Sequence, residues 1–107
     1  MRFFSLEKLI NLQDGYVRQF KIDHLQLLLL QRDRQLFLIE ANCPHKSHPL
    51  DVSSIHDGAI QCALHHYQFA LSDGRLLLAT DELCRGLRTY DVIYQGNEVG
   101  VMLNTPT

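Results

Sequence analysis

The sequence predicts a small all-β domain built from antiparallel sheets. Short apolar segments of strand length follow one another closely along its 107 residues, and dipeptides that mark tight turns lie between them: Asp14-Gly15, Asp57-Gly58, Asp73-Gly74 and Gly96-Asn97. No internal repeat, linker or low-complexity stretch divides the chain. We therefore expect residues 1–107 to form a single domain, a sandwich or a barrel.

The N-terminal half is expected to contain one helical turn and three strands. Ser5 is a suitable N-cap for a helical turn over Leu6–Ile10. The predicted strands are Tyr16–Ile22, His24–Gln31 and Gln35–Ala41, the last two joined by the polar turn Arg32-Asp33-Arg34. The apolar runs Leu27–Leu30 and Leu36–Ile39 indicate buried strands. Four successive leucines also occur in helices, but this segment is short and bounded by turns.

The C-terminal half is expected to contain a long loop, a short strand and two hairpins. Residues 42–57 show no hydrophobic periodicity, whereas Ala59–Ala63 has the length of a short strand. The predicted hairpins are Tyr67–Leu71 with Arg75–Ala79 across Ser72-Asp73-Gly74, and Leu87–Tyr94 with Glu98–Leu103. The aromatic residues expected in the core are Phe20, Phe37, Phe69 and Tyr90.

Composition argues against several classes of protein. The chain is 46% hydrophobic, has a formal net charge of −2 and contains no run of Lys or Arg, so nothing in it indicates a nucleic-acid partner. The sequence does not show the N-terminal signal of a cationic segment followed by an apolar one. The apolar run Leu27–Leu30 is far too short to span a bilayer. We therefore expect a cytoplasmic protein without a membrane partner. Three cysteines do not make a disulfide framework.

Two short motifs carry the residue types that bind soft metals. Cys43-Pro44-His45 and Cys62-Ala63-Leu64-His65 are separated by sixteen residues, and each offers one thiolate and one imidazole. This donor set fits a [2Fe–2S] cluster in which two histidines replace two cysteines on one iron. Two Cys and two His also suit tetrahedral zinc, but common zinc-finger spacing pairs Cys with Cys and His with His. The mixed motifs favour the cluster, because each iron can take one ligand from each motif.

The residues around the two motifs resemble the cluster-binding loops of Rieske ferredoxins. Cys43–Leu50 is similar to the first loop, and Cys62–Phe69 is similar to the second, including its aromatic-x-Phe ending. The resemblance extends over essentially the whole chain. It implies a small Rieske-like fold of antiparallel sheets, with a cluster-binding subdomain formed by two loops. The ligands it implies are Cys43 and Cys62 on one iron of the [2Fe–2S] cluster, and His45 and His65 on the other.

The resemblance further implies the low-potential, ferredoxin-like branch of that family. High-potential members have an extra Cys in each loop and join the two in a disulfide; His48 and Leu64 stand at those positions here. Those members also place a Ser and a Tyr where this chain has Tyr67 and Phe69, and Phe69 has no hydroxyl to donate. Fewer donors to sulfur stabilise the reduced cluster less, which lowers its potential. Tyr67 is expected to pack beside the cluster and to shield it from water.

Three positions depart from the usual pattern of the family. His66 stands where a Gly usually follows the second His ligand, and a Gly there indicates a positive φ that any other residue adopts only with strain. Ser47 and His48 stand where Gly and Ala are frequent. The third loop, about Thr80–Arg85, lacks the usual Pro and contains Cys84, which could approach the cluster or be an oxidisable thiol. The roles of His48, His66 and Cys84 are left open.

The expected function is electron transfer rather than catalysis. Rieske oxygenases carry a second domain with a mononuclear iron, and 107 residues leave no room for one. The resemblance implies that a flavoprotein reductase donates one electron and that a Rieske-type or other non-haem iron oxygenase accepts it. Two alternatives stay open at this point: a small Rieske-like subunit of a larger reductase of the nitrite reductase type, and a structural zinc-binding or redox-sensing module.

Overall fold

The computed structural model describes residues 2–44, 50, 54–63, 66–80 and 83–103. Within them lie eleven strands: β1 (Arg2–Lys8), β2 (Val17–Ile22), β3 (Leu25–Arg32), β4 (Gln35–Glu40), β5 (Ser54–His56), β6 (Ala59–Gln61), β7 (Gln68–Ala70), β8 (Leu76–Leu78), β9 (Thr89–Tyr90), β10 (Ile93–Gln95) and β11 (Glu98–Leu103). One turn of 3-10 helix, Leu9–Asn11, follows β1. The strand pairs of the described residues are antiparallel, which confirms the predicted fold class.

The strands form three sheets. The outer sheet has the order β1-β11-β10, the central sheet β2-β3-β4-β9, and the short-strand sheet β5-β6-β7-β8. Asp33 and Arg34 connect β3 to β4 with positive φ values of 52° and 65°, the backbone of a tight two-residue hairpin turn. No helix in the described part of the chain has the length and apolar character needed to cross a bilayer.

The central sheet is buried on both faces. Leu27, Leu28, Leu29 and Leu30 in β3 are each at most 1% exposed. Successive strand residues point to opposite faces, and the leucines accordingly divide between two core clusters. Leu28 and Leu30 belong to the first core cluster, together with residues of the short-strand sheet, whereas Leu27 and Leu29 belong to the second, with Val99 and Val101 of β11. The prediction that this leucine run is a buried strand is confirmed.

The predicted helical turn over Leu6–Ile10 is wrong for most of its length. Residues 2–8 pair with β11 instead, and the helical turn begins only at Leu9. Phe4 and Leu6 pack against the second core cluster, because pairing with β11 places them there. The capping signal at Ser5 is local and gives no information about this distant partner. Glu7 accepts hydrogen bonds from Tyr16 Oη at 2.8 Å and from Asn11 Nδ2 at 2.9 Å. The bonds from Asn11, from the Lys8 backbone and from Tyr16 lower the pKa of Glu7 to about 2.

The predicted strand over Leu87–Tyr94 is two strands in different sheets. Thr89–Tyr90 pairs with β4 in the central sheet, and Ile93–Gln95 pairs with β11 in the outer sheet. The chain changes sheets between these two strands, so one apolar segment pairs with β4 in the central sheet and with β11 in the outer sheet. The sequence also did not predict β5, since three residues are too few to show a period. The remaining strands and the Ser72-Asp73-Gly74 hairpin lie where predicted, within two residues at each end.

Candidate metal centre

Cys43 and Cys62 occupy equivalent places, each just after a strand. Cys43 follows β4 by three residues, and Cys62 comes directly after β6. Their exposed fractions are 1% and 0%, and both belong to the first core cluster, between the central and the short-strand sheets. The two predicted sulfur donors are therefore brought into one buried region from two different sheets. The other two predicted ligands, His45 and His65, lie outside the described residues, as do His48 and Leu64.

Backbone hydrogen bonds anchor the two ends of the segment that contains the first motif. Ala41 N donates to Gln26 O at 3.0 Å, which ties the end of β4 to β3. Leu50 N donates to Ala41 O at 2.8 Å, and Leu50 is itself buried in the first core cluster. Cys43 lies two residues after the anchored Ala41, and its side chain is buried in the same core cluster as Leu50.

The segment containing the second motif is closed in the same manner but more tightly. Cys62 N donates to Tyr67 O at 2.8 Å, and His66 N donates to Cys62 O at 3.0 Å. His66 has a φ of 61°, so the strained backbone expected where the family has Gly is confirmed. A left-handed conformation of a non-glycine residue costs about 1–2 kcal/mol. Other interactions of this segment must offset that strain.

Aromatic side chains line the buried region around the two cysteines. Tyr67 and Phe69 are both 0% exposed and belong to the same core cluster as Cys43 and Cys62. This agrees with the expectation that Tyr67 shields the site, and it confirms Phe69 as a core residue. Phe20, Phe37 and Tyr90 are half-buried and pack at the edges of the two cores. Phe69 therefore contributes to the wall of the site a phenyl ring that cannot donate a hydrogen bond.

A third segment, Leu83–Arg88, is held beside the site by one carboxylate. Glu40, the last residue of β4, accepts two hydrogen bonds from Arg85, at 2.6 Å from Nη1 and 2.8 Å from Nη2. It also accepts one from the backbone N of Arg88 at 2.8 Å. Such a bidentate pair is stronger and more directional than an ordinary surface ion pair. Sequence reasoning missed Glu40 and Arg85, because charges 45 positions apart give no sign that they meet.

Cys84 lies in this third segment and packs against the first core cluster. It is half-buried, and burial raises the pKa of its thiol above the ordinary value, while the neighbouring Arg85 lowers it. A raised pKa keeps the thiol protonated and therefore less reactive. The described residues include all three cysteines of the chain, and no disulfide joins them.

A comparison with models of protein families identifies the chain. The model of the Rieske [2Fe-2S] domain matches residues 3–91, most of the sequence and both motifs. The chain belongs to the Rieske [2Fe–2S] domain family. The cofactor of this Rieske domain is therefore a [2Fe–2S] cluster, as the ligand motifs predicted.

Solved structures with a similar fold include Rieske-type ferredoxins. The ferredoxin of carbazole 1,9a-dioxygenase from Nocardioides aromaticivorans IC177 superposes with a TM-score of 0.81 at 23% identity, over 94% of this Rieske domain and 97% of that chain. A ferredoxin from Sphingomonas yanoikuyae B1 gives 0.82 at 17%, over 96% and 100%. The terminal oxygenase of carbazole 1,9a-dioxygenase from N. aromaticivorans IC177 gives 0.79 at 19%, over 98% and 31%. A comparison with curated proteins finds no match.

The described part of the Rieske domain fits the cofactor. A [2Fe–2S] cluster of this type needs two thiolates close together and shielded from water. Cys43 and Cys62 are buried in one core cluster, are not consumed in a disulfide and are surrounded by apolar and aromatic side chains. The donor chemistry and the shielding therefore agree with the family assignment.

Proposed function

We propose that this Rieske domain is a one-electron carrier that catalyses no reaction alone. It takes an electron from a flavoprotein reductase and passes it to a Rieske-type or other non-haem iron oxygenase. Cys43 and Cys62 hold one iron and His45 and His65 hold the other, within one domain formed by residues 1–107. The bound cluster supplies the one-electron chemistry, and the protein supplies its ligands, its shielding and a docking face. The cytoplasmic location stays a prediction.

The observation that carries this proposal is the burial of both cysteines. Their exposed fractions of 1% and 0%, at the ends of strands in two sheets, suit sulfur ligands held at a constant separation by a rigid scaffold. Leu50, Tyr67 and Phe69, each at most 1% exposed, exclude water from the same region. A stiff, dry site limits the rearrangement that a change of charge requires, which is the property an electron carrier needs.

The extent of the fold likeness supports a carrier rather than an oxygenase. The chain spans 97% and 100% of the two ferredoxin chains but only 31% of the terminal oxygenase chain. One of the solved structures with this fold is described as a complex of reduced oxygenase and oxidised ferredoxin in carbazole 1,9a-dioxygenase. The corresponding acceptor for this chain is an oxygenase of that kind.

The test begins with the metal content of the purified protein. We expect about two irons and two sulfides per chain, and a rhombic EPR signal with mean g below the free-electron value after reduction with dithionite. Zinc without sulfide would contradict the proposal. The reduced protein should then be reoxidised by a Rieske-type oxygenase in stopped-flow measurements, and reduced by NADH only when a flavoprotein reductase is present. Constant co-purification with a larger reductase would instead favour a subunit role.

Replacing Phe69 by Tyr tests the assignment to the low-potential branch. Phe69 lies in the same core cluster as both cysteines and has no donor. A hydroxyl that reaches a cluster or cysteine sulfur stabilises the reduced, more negative state. A hydrogen bond worth about 1 kcal/mol more in that state raises a one-electron potential by roughly 40 mV. Voltammetry of the purified variant measures the change.

The control for this substitution is Phe20→Tyr. Phe20 is half-buried in β2 and packs against the second core cluster, away from the cysteines, so its variant should keep the wild-type potential. A Phe69→Tyr protein that retains its cluster at an unchanged or lower potential would contradict the argument. The wild-type value itself should lie in the lower part of the family range of roughly −150 to +300 mV.

A further inference from the structure

Two glutamines and a histidine form a hydrogen-bonded chain beside the second motif. Gln61 is the last residue of β6, Gln68 is the first of β7, and the two are direct partners in the antiparallel register. Gln68 Nε2 donates to Gln61 Oε1 at 3.0 Å, and Gln61 Nε2 lies 2.8 Å from His66 Nδ1. The chain of hydrogen bonds therefore starts on the short-strand sheet and ends on the residue that follows His65.

The hydrogen-bonded chain runs over the outside of the short-strand sheet. Ile60 and Phe69 point inward and are at most 1% exposed, so Gln61 and Gln68, their neighbours in sequence, point to the opposite face. Both glutamines are half-buried, and the His66 side chain is exposed. An exposed histidine gains little from packing, so within the described part of the chain it is the bond to Gln61 that restricts its side chain.

His66 is held at its backbone as well as at its ring. Its N donates to Cys62 O at 3.0 Å, and its φ of 61° is one that L residues adopt only with strain. Both anchors, Gln61 and Cys62, are consecutive residues at the start of the segment that contains the second motif. A glycine at this position would be free of strain, but it would have only the backbone anchor.

We propose that Gln61 is a positioning residue for the second motif, acting through the ring of His66. By fixing that ring it stabilises the strained turn that closes the segment 62–66, and hence the placement of His65. Gln68 supports Gln61 in turn. The proposal rests on the assignment of His65 as a cluster ligand under the proposed function. Without the Gln61 bond, the turn should relax toward ordinary backbone angles and the cluster should be held less firmly.

A double-mutant cycle tests the coupling between Gln61 and His66. The proteins are the wild type, Gln61→Met, His66→Gly and the double variant; Met keeps the length of Gln but cannot form the hydrogen bond. We expect Gln61→Met to speed cluster loss to an iron chelator by roughly 2- to 10-fold, the range for one lost hydrogen bond. It should also broaden or shift the EPR signal of the reduced cluster. In the His66→Gly background the same change should have no effect.

Gln19→Met is the matched control. Gln19 is another strand glutamine with an amide partner, Gln26 at 3.4 Å, but it is exposed and lies in the central sheet. Its variant should lose the cluster at the wild-type rate. Should Gln61→Met fail to fold, Gln68→Met provides the same test one bond further away, with a smaller effect in the same direction.

The outcomes separate this proposal from the proposed function. An equal effect of Gln61→Met in the wild-type and His66→Gly backgrounds, or no effect in the wild-type background, would overturn the positioning role while leaving the carrier function intact. The opposite outcome is also distinguishable. If the cycle shows the coupling between Gln61 and His66 but no oxygenase reoxidises the reduced protein, the positioning role is supported and the carrier function is overturned. The expected result is that Gln61→Met speeds cluster loss and alters the EPR signal when residue 66 is His, and does neither when residue 66 is Gly.

Discussion

Replacing Cys62 by Ser is expected to abolish cluster binding. Cys62 is 0% exposed and is held by two backbone hydrogen bonds, so its sulfur lies at a fixed place in a dry interior. An alcohol is a harder ligand than a thiol and keeps its proton at neutral pH. Even the groups that support metal ligands are worth 10- to 100-fold in affinity, so loss of a ligand should cost more than about 100-fold. Cys43→Ser should behave in the same way, because Cys43 is equally buried.

The measurement is iron and sulfide content, followed by visible circular dichroism and thermal unfolding. Binding of the cofactor is coupled to folding, so the variants should also unfold at lower temperature than the wild type. Cys84→Ser is the matched control: Cys84 packs against the same core cluster, but it is only half-buried and belongs to neither motif. A Cys62→Ser protein with a full complement of iron, or a Cys84→Ser protein without it, would show that the ligands are assigned wrongly.

The sequence was sufficient for the parts of the molecule that depend on neighbouring residues. The two motifs each keep their Cys and His within four positions, so their chemistry was visible without a fold. The four leucines of β3 predicted a strand buried on both faces, and the structure confirms it. The φ of 61° at His66 followed from a single departure from the family's usual Gly. In each case the signal and its structural consequence lie within a few residues of each other.

The parts that could not be predicted depend on residues that meet only in the folded protein. Glu40 and Arg85 join the end of β4 to the third segment across 45 positions, and neither charge is unusual in its own surroundings. The N-terminal strand was mistaken for a helical turn because its partner, β11, lies at the other end of the chain. The link between Gln61 and His66 likewise required the orientation of a side chain at a strand end. A single sequence carries no record of such pairings.

The third segment has a further anchor, a backbone contact that only glycine permits. A Cβ atom on Gly74 would lie 2.1 Å from the carbonyl O of Leu87 and 3.1 Å from Cγ2 of Thr89. At this point Leu87 N donates to Gly74 O at 2.7 Å, and Gly74 N donates to Ala70 O at 2.8 Å. The turn between β7 and β8 therefore lies directly against the segment that contains Cys84. Any side chain at position 74 must push the two apart.

We expect Gly74→Ala to destabilise the protein by about 2–5 kcal/mol. The clash accounts for about 1–3 kcal/mol, and the φ of 79° adds the strain of a left-handed alanine, about 1–2 kcal/mol. A small domain is stable by only about 5–15 kcal/mol in total, so this change is a large fraction of the whole. Denaturant unfolding of the cluster-loaded protein measures it, and the rate of cluster loss shows whether the third segment supports the site.

Two other glycines separate the clash from the backbone strain. Gly58 has a similar φ of 75° but nothing within 4 Å of its Cβ position, so Gly58→Ala should cost only the conformational term. Gly86 lies on the other side of the contact, and its Cβ would be 2.6 Å from Gly74 O, so Gly86→Ala should be destabilising through the clash. If Gly74→Ala were no worse than Gly58→Ala, the turn and the third segment would not be in contact. A larger loss for Gly74→Ala and Gly86→Ala, accompanied by faster cluster release, would show that this backbone contact holds the third segment against the cluster site.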